Sequence, residues 1–146
     1  MDRSGAERGG GVSTEKPEGV VVFIRHGDHY LFIQRAEGKS LAGLWCPVGG
    51  AMEPGERQDE TAVREAGEEV AQPIQSLVRL GESPSRDDRW RLHWWLAEAS
   101  ERVATIHSPR EVADLRWLTC AEIRALPDRS TIFLEMLARV ERIGAR

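Results

Sequence analysis

Gly50-Ala-Met-Glu53-Pro-Gly-Glu56-Arg-Gln-Asp-Glu-Thr-Ala-Val-Arg64-Glu65-Ala66-Gly67-Glu68-Glu69-Val70-Ala71-Gln72 is the stretch that decides the fold. A glycine-bearing turn leads to Glu56, and seven residues separate that acid from Arg64-Glu65. Read as a helix over 59–70, the segment places Glu65, Glu68 and Glu69 at i, i+3 and i+4, so three carboxylates share one face. At about 100° per residue, Val63, Ala66, Gly67 and Val70 fall on the opposite face, suited to packing on a sheet. Like charges at this spacing repel by roughly a few tenths of a kcal/mol per pair. A divalent cation removes that cost, and hard carboxylate oxygens suit Mg2+ or Mn2+. The competing reading is a solvated acidic surface, ordinary in a chain with 30% charged residues. The spacing decides against it.

Outward from this segment, the flanks read as strands. Val20 to Ile24 is a β-branched apolar run, and His29 to Arg35 reads as a second strand forming a hairpin with it through His26-Gly27-Asp28. A loop over 36–44 leads into Trp45-Cys46-Pro47-Val48 and the Gly49-Gly50 pair. Pro73 stops the helix, 74–80 reads as a strand and 83–88 as a polar loop. Trp90, Leu92, Trp94 and Leu96 then alternate with Arg89, Arg91, His93 and Trp95, the period of a half-buried strand. Leu115 to Leu118 is a short strand, and Thr119-Cys120-Ala121-Glu122 has a capping-box pattern that starts a brief helix through Leu126. Asp128 reads as the N-cap of a last helix with Ile132, Phe133, Met136, Leu137 and Val140 along one stripe. Mixed strands with three helices make an α/β domain over 18–146. Residues 1–17, rich in Gly, Ser, Arg and Glu, are expected to form a disordered tail.

A chain of 146 residues suffices for one domain with a real core. A net charge of −4 argues against binding a nucleic-acid polymer, which asks for a basic surface. Cys46 and Cys120 lack any paired-ligand spacing and read as reduced thiols. No apolar run is long enough to span a membrane, and the N-terminus has no signal-peptide core. A cytoplasmic protein with no membrane partner is expected.

The opening stretch resembles the Nudix box, Gly-x5-Glu-x7-Arg-Glu-U-x-Glu-Glu-x-Gly-U, where U is a bulky aliphatic residue. Gly50, Glu56, Arg64, Glu65, Glu68 and Glu69 match position for position. Ala66 stands where U is expected, Ala71 replaces the last glycine, and Gln72 replaces the last aliphatic. The alanine matters only if that site needs a positive φ. Upstream, Gly43-Leu44-Trp45-Cys46-Pro47-Val48-Gly49-Gly50 keeps the glycines and tryptophan of relatives, with proline one place early. The resemblance extends over most of 18–143. It implies the Nudix α-β-α sandwich, with a mixed sheet and a catalytic loop-helix-loop.

By that resemblance Glu65, Glu68 and Glu69 ligate Mg2+ or Mn2+, with the Gly49 carbonyl as a further ligand. Arg64 and Glu56 are expected to pin the glycine turn onto the helix and fix the carboxylates. Gly50 lets the backbone approach metal and substrate, and Glu53 reads as a loop acid. Glu111, before Trp117, is the candidate for a further metal-binding or proton-accepting acid, with Asp114 its rival. Arg35 is expected to contact the nucleotide, Trp95 to stack on a base or pack under a loop, and Asp128 to read a base or cap a helix. Gly67 suggests close helix-sheet packing.

The activity implied is hydrolysis of a nucleoside diphosphate linked to a group X. Within it, a MutT-like (d)NTP pyrophosphohydrolase releasing nucleoside monophosphate and pyrophosphate is preferred. ADP-ribose or a nucleotide sugar is the alternative substrate, and a nucleotide sensor without turnover is the non-enzymatic alternative. Relatives are often dimers, so a homodimer is an open expectation.

Overall fold

The computed structural model describes residues 15–39, 41–127 and 131–144. The expected tail falls almost wholly outside them, as does Asp128. Among the described residues nine elements follow in order: β1 (Glu18–His26), β2 (His29–Arg35), β3 (Trp45–Ala51), α1 (Gln58–Val70), β4 (Gln75–Pro84), β5 (Arg91–Glu98), β6 (Val112–Thr119), α2 (Cys120–Arg124) and α3 (Thr131–Arg142). The six strands form one sheet in the order β4-β5-β1-β3-β2-β6. Only β1 and β5 run parallel; the other neighbours are antiparallel.

The β1–β2 hairpin is shorter than the sequence suggests. The two strands pair only at Arg25↔Tyr30 and His26↔His29, beside the turn, where Gly27 takes a φ of +63°. Beyond that point they splay and β3 enters between them, Val48 opposite Val22 and Pro47 opposite Phe32. This insertion carries the Gly49-Gly50 pair to the middle of the sheet.

Alternation along the central strands makes two cores. Val20, Val22, Ile24, Leu31, Ile33 and Val48 face α1, meeting Ala62, Ala66 and Val70. Phe23, Phe32, Trp94 and Leu96 face the other way, against Ile123, Met136, Leu137 and Val140 of α2 and α3. The result is an α-β-α sandwich. Its two cysteines are free and lie on opposite faces, Cys46 against the α1 core and Cys120 against the other. No helix among the described residues is long and apolar enough to cross a membrane.

Helix α1 sits on the sheet in a phase different from the expected one. Its buried residues are Thr61, Ala62, Glu65, Ala66, Glu69 and Val70, whereas Val63 is 50% exposed. Gly67 also faces outward, and a Cβ added there would meet nothing within 4 Å, so close packing does not explain it. The three acids therefore do not share one solvent face opposite an apolar one. Glu65 and Glu69 turn toward the sheet and Glu68 stays outside, because the arc with the small residues Ala62 and Ala66 can approach closest.

The helix ends in a left-handed turn. Ala71 has φ 53° and ψ 36°, and the amides of Ala71 and Gln72 close onto the carbonyls of Gly67 and Ala66. The Ala71 bond to Gly67 is that of the left-handed C-terminal turn that glycine usually serves. The position does require a positive φ. Elsewhere β4 runs on to Pro84, absorbing the start of the expected 83–88 loop, and the predicted capping box at α2 forms with both of its hydrogen bonds.

Candidate active site

Arg64 organises the entrance to α1. Its Nε donates to Glu56 Oε2 at 2.7 Å and its Nη2 to Glu56 Oε1 at 3.1 Å, a two-pronged grip. Nη2 also donates to the Ala51 carbonyl at 2.9 Å, tying the end of β3 to the helix. Glu56 accepts further bonds from the Glu53 amide at 3.0 Å and the Thr61 hydroxyl at 2.7 Å. The Arg64 guanidinium, with these donors, holds the Glu56 carboxyl down to about 2, well below its ordinary value. The turn over 52–57 is thereby fixed to the helix that follows it.

The third prong is shared. Arg64 Nη1 reaches Glu65 Oε2 at 2.9 Å and Glu68 Oε1 at 3.1 Å, with Glu53 at 3.7 Å. The Glu65 carboxyl lies directly over Gly50, where an added Cβ would collide with it. At Gly49 an added Cβ would instead strike the Val20 carbonyl oxygen across the β1–β3 ladder. Both glycines are thus required by close approach, one to a functional carboxyl and one to the sheet.

Glu69 is the most perturbed acid of the set. It is 5% exposed, and its Oε1 is buried with no hydrogen-bond partner. Burial pushes its carboxyl up, and the negative charges of Glu65 and Glu111 push it the same way. Burial likewise raises Glu65, opposed by the Arg64 cation. The pair shares a hydrogen bond that favours the proton on Glu69 and the charge on Glu65. Cys46, partly buried beside Arg35, has its thiol pushed up to about 11 by desolvation, which disfavours the thiolate.

Several distant residues converge here. Arg35, at the end of β2, bonds the Cys46 side chain and acts electrostatically on Glu69. Glu111 acts on Glu69 as well, and Lys39 Nζ stands 3.9 Å from it. Its rival Asp114 is turned to its own strand, accepting from the Leu115 amide and pairing with Arg116 at 3.7 Å. Trp95 lies on the α1 face, but its indole N–H donates to Gln58 at the start of the helix. Eleven residues of helix separate Gln58 from Glu69, about 16 Å along the axis. Trp95 packs at the far end from the buried acid, so it does not stand beside Glu69. Lys39 and Thr61 escaped the sequence reading, in which Cys46 is only a reduced thiol. Only Thr61 left a trace, as a hydroxyl one helical turn into the acidic segment.

The donor set fits a hard divalent cation. Two carboxyls are buried in a place that disfavours their charge, and one of their oxygens is orphaned. A cation supplies both the missing partner and the missing charge. Among the described residues, however, no group of three acidic, His or Cys side chains already converges on one point. Glu68, its side chain 60% exposed, is held outward by Arg64 and must turn to join the other two.

Comparison with known proteins accords with this geometry. The profile of the NUDIX domain matches residues 15–139. An uncharacterized Nudix hydrolase, orf19 of Rhodococcus erythropolis, is 33% identical over 132 residues, covering 80% of this chain and 69% of that one. A protein of Mycobacterium tuberculosis provisionally named 8-oxo-dGTP diphosphatase 3 is 32% identical over 119 residues, 77% of this chain and 51% of its own length. The chain thus spans about half of that relative. Among solved structures, a MutT Nudix hydrolase from Burkholderia pseudomallei aligns with a TM-score of 0.72 at 21% identity, over 86% of this chain and 98% of the other. The Nudix domain of Shewanella oneidensis NrtR, complexed with ADP ribose, aligns at 0.71 with 22% identity, over 89% of each chain. These structures attest the fold, and the profile carries the family. The chain belongs to the Nudix family of hydrolases.

Proposed function

We propose that this protein is a (d)NTP pyrophosphohydrolase that works with Mg2+ or Mn2+ and releases a nucleoside monophosphate and pyrophosphate. The observation that carries the catalytic reading is the orphaned Oε1 of buried Glu69, beside Glu65, whose own carboxyl lies over Gly50. The Mycobacterium tuberculosis relative supports the choice of substrate class.

Glu65, Glu68 and Glu69 would hold the cation, with the Gly49 carbonyl beside them. A divalent ion there neutralises phosphate oxygens and orients or acidifies a water. Gly50, lacking a Cβ, leaves room for the Glu65 carboxyl against the backbone. Arg35, whose charge acts on Glu69, would meet a phosphate oxygen. Glu111, whose charge acts on Glu69, would take a proton from the attacking water. Glu56 and Arg64 keep the turn in register and touch no substrate. Domain and compartment follow from the same reading: one catalytic unit over 18–146, acting in the cytoplasm.

The test is a turnover screen with Mg2+ and with Mn2+ over dNTPs, 8-oxo-dGTP, ADP-ribose and nucleotide sugars, with products identified. A nucleoside monophosphate and pyrophosphate from a triphosphate are expected. A product that keeps the β-phosphate on the nucleoside overturns the assignment, and turnover confined to ADP-ribose replaces the substrate class.

A further inference from the structure

Gln72 stands where the family pattern has an aliphatic residue, and the structure buries it to 2% exposure. The left-handed turn at Ala71 aims its side chain inward, under the segment between β5 and β6. There the amide is saturated with backbone partners. Nε2 donates to the Pro73 carbonyl at 2.9 Å and the Glu101 carbonyl at 3.0 Å, while Oε1 accepts from the Val103 amide at 3.1 Å. A leucine could fill the space and make none of these bonds.

The segment that Gln72 holds has no regular structure from 102 to 106, so its backbone groups must find partners elsewhere. It is stitched to the end of α1: the Thr105 amide donates to the Val70 carbonyl, and the His107 and Ser108 amides donate to the Glu69 carbonyl. The Ser108 carbonyl then accepts from Glu111 and Val112, and the Ala36 amide, next to Arg35, donates to the Glu111 carbonyl. These hydrogen bonds, joined by the short chain over 103–112, link the Gln72 amide to the backbone of Glu69, Glu111 and the residue after Arg35.

We infer that Gln72 is a positioning residue. By clamping Glu101 and Val103 it sets where the segment lies on the helix end, and so sets Glu111 relative to the Glu69 carboxyl. The inference rests on the roles given above to Glu69 and Glu111. It concerns neither metal ligation nor substrate contact by Gln72 itself.

The experiment combines Gln72→Leu, Gln72→Met, Glu111→Gln and the Gln72→Leu/Glu111→Gln double variant, assayed with dGTP and Mg2+ and by amide hydrogen exchange. Two apolar replacements are used so that a folding failure in one leaves the other. In either apolar variant kcat is expected to fall about tenfold or more, with KM within about threefold of wild type. The double variant should be no slower than Glu111→Gln alone, because both changes act through one carboxyl. Exchange at Thr105, His107 and Ser108 should speed up while exchange in β1 and β3 stays slow. Unchanged kcat in a folded Gln72 variant, losses that multiply in the double variant, or unaltered exchange at the three amides overturns the inference. A Glu111→Gln variant with wild-type turnover strikes the assignment of Glu111 itself and takes this inference with it. The exchange result needs no substrate, so it decides the clamp even if dGTP is not turned over.

Discussion

Replacing Glu69 with glutamine separates what the buried carboxyl costs the fold from what it gives the reaction. Glu69 Oε1 has no partner, and the group is 5% exposed. Leaving a buried polar atom unsatisfied costs about 1–3 kcal/mol, and more when the group is ionised. The folded protein holds the Glu69 proton up to about pH 9, whereas an unfolded glutamate releases it near 4.5. Between those values the folded state binds one proton more than the unfolded state, so stability falls as pH rises, by at most about 1.4 kcal/mol per pH unit. Relaxation and the shared proton with Glu65 reduce this, leaving about 1–3 kcal/mol lost at pH 8 in metal-free protein.

Glutamine is neutral at every pH and can donate to Glu65 as the protonated acid does. In EDTA at pH 8 the Glu69→Gln variant should melt roughly 3–9 °C above wild type, taking about 3 °C per kcal/mol for this size. At pH 5, where wild type is already protonated, the two should coincide. Mg2+ at about 100 times its Kd should then add about 2.7 kcal/mol to wild type and little to the variant. Turnover should drop by at least about 10²-fold. Calorimetric melts at the two pH values, with and without Mg2+, give every term. A variant that is no more stable than wild type at pH 8 in EDTA would refute the claim that this carboxyl is buried at a cost that a cation offsets.

Three further substitutions test the surroundings. Ala71→Gly relieves a left-handed alanine that costs about 1–2 kcal/mol, partly offset by the freer unfolded chain; a net gain of about 0.5–1 kcal/mol is expected in urea denaturation, with activity unchanged. Gly50→Ala puts a Cβ into the Glu65 carboxyl; the protein should fold with a near-native circular dichroism spectrum while kcat falls by roughly 10²-fold, and a fully active variant would show that Glu65 need not lie there. Arg64→Lys breaks the two-pronged grip on Glu56, whose carboxyl is held down to about 2. Wild type should keep that contribution above about pH 4.5 and lose it as pH falls toward 2, so its acid unfolding should lose this step in the lysine variant, alongside a drop of about 10- to 100-fold in kcat. Identical acid transitions in the two proteins would count against it.

The helix and its charged residues were readable because their message is local. Glu56, Arg64, Glu65, Glu68 and Glu69 are tied together by spacing along one turn and one helix, and the structure joins Arg64 to each of the others except Glu69. The phase of that helix on the sheet was not readable. Val63 and Gly67 looked apolar enough to face inward, but which arc packs is set by the close approach of Ala62 and Ala66 to β1 and β3, a tertiary matter. The entry of β3 between β1 and β2 is likewise a long-range pairing that a hairpin pattern conceals. Resemblance alone prefers Glu111 to its rival Asp114; that Asp114 lies within β6 and pairs with Arg116, while 105–108 is stitched onto α1, is a tertiary matter. Gln72 did leave a signal, a polar residue at an aliphatic position just before proline, though the partners that give it meaning lie about thirty residues downstream.

One guanidinium bonds three carboxylates in this site, with Glu53 a fourth at 3.7 Å, and the way it is divided identifies which of them are available for other work. Nε and Nη2 are committed to Glu56 and the Ala51 carbonyl, and Glu56 is further occupied by Thr61 and the Glu53 amide. That carboxylate is fully used as structure. Nη1 alone is left for Glu65 and Glu68, split between them at 2.9 and 3.1 Å, and Glu69 receives nothing from Arg64. A charge-assisted bond to a carboxylate is worth about 1.5–3 kcal/mol when undivided, and a donor shared between two acceptors gives each of them less. The hold therefore weakens in the order Glu56, Glu65 and Glu68, Glu69, while burial without a partner is greatest at the end of that series. Even with Arg64 counted, the set carries more negative charge than its own cation balances. The least satisfied carboxylates are the ones spaced one turn apart on α1, which is where a second, external positive charge has the most to stabilise.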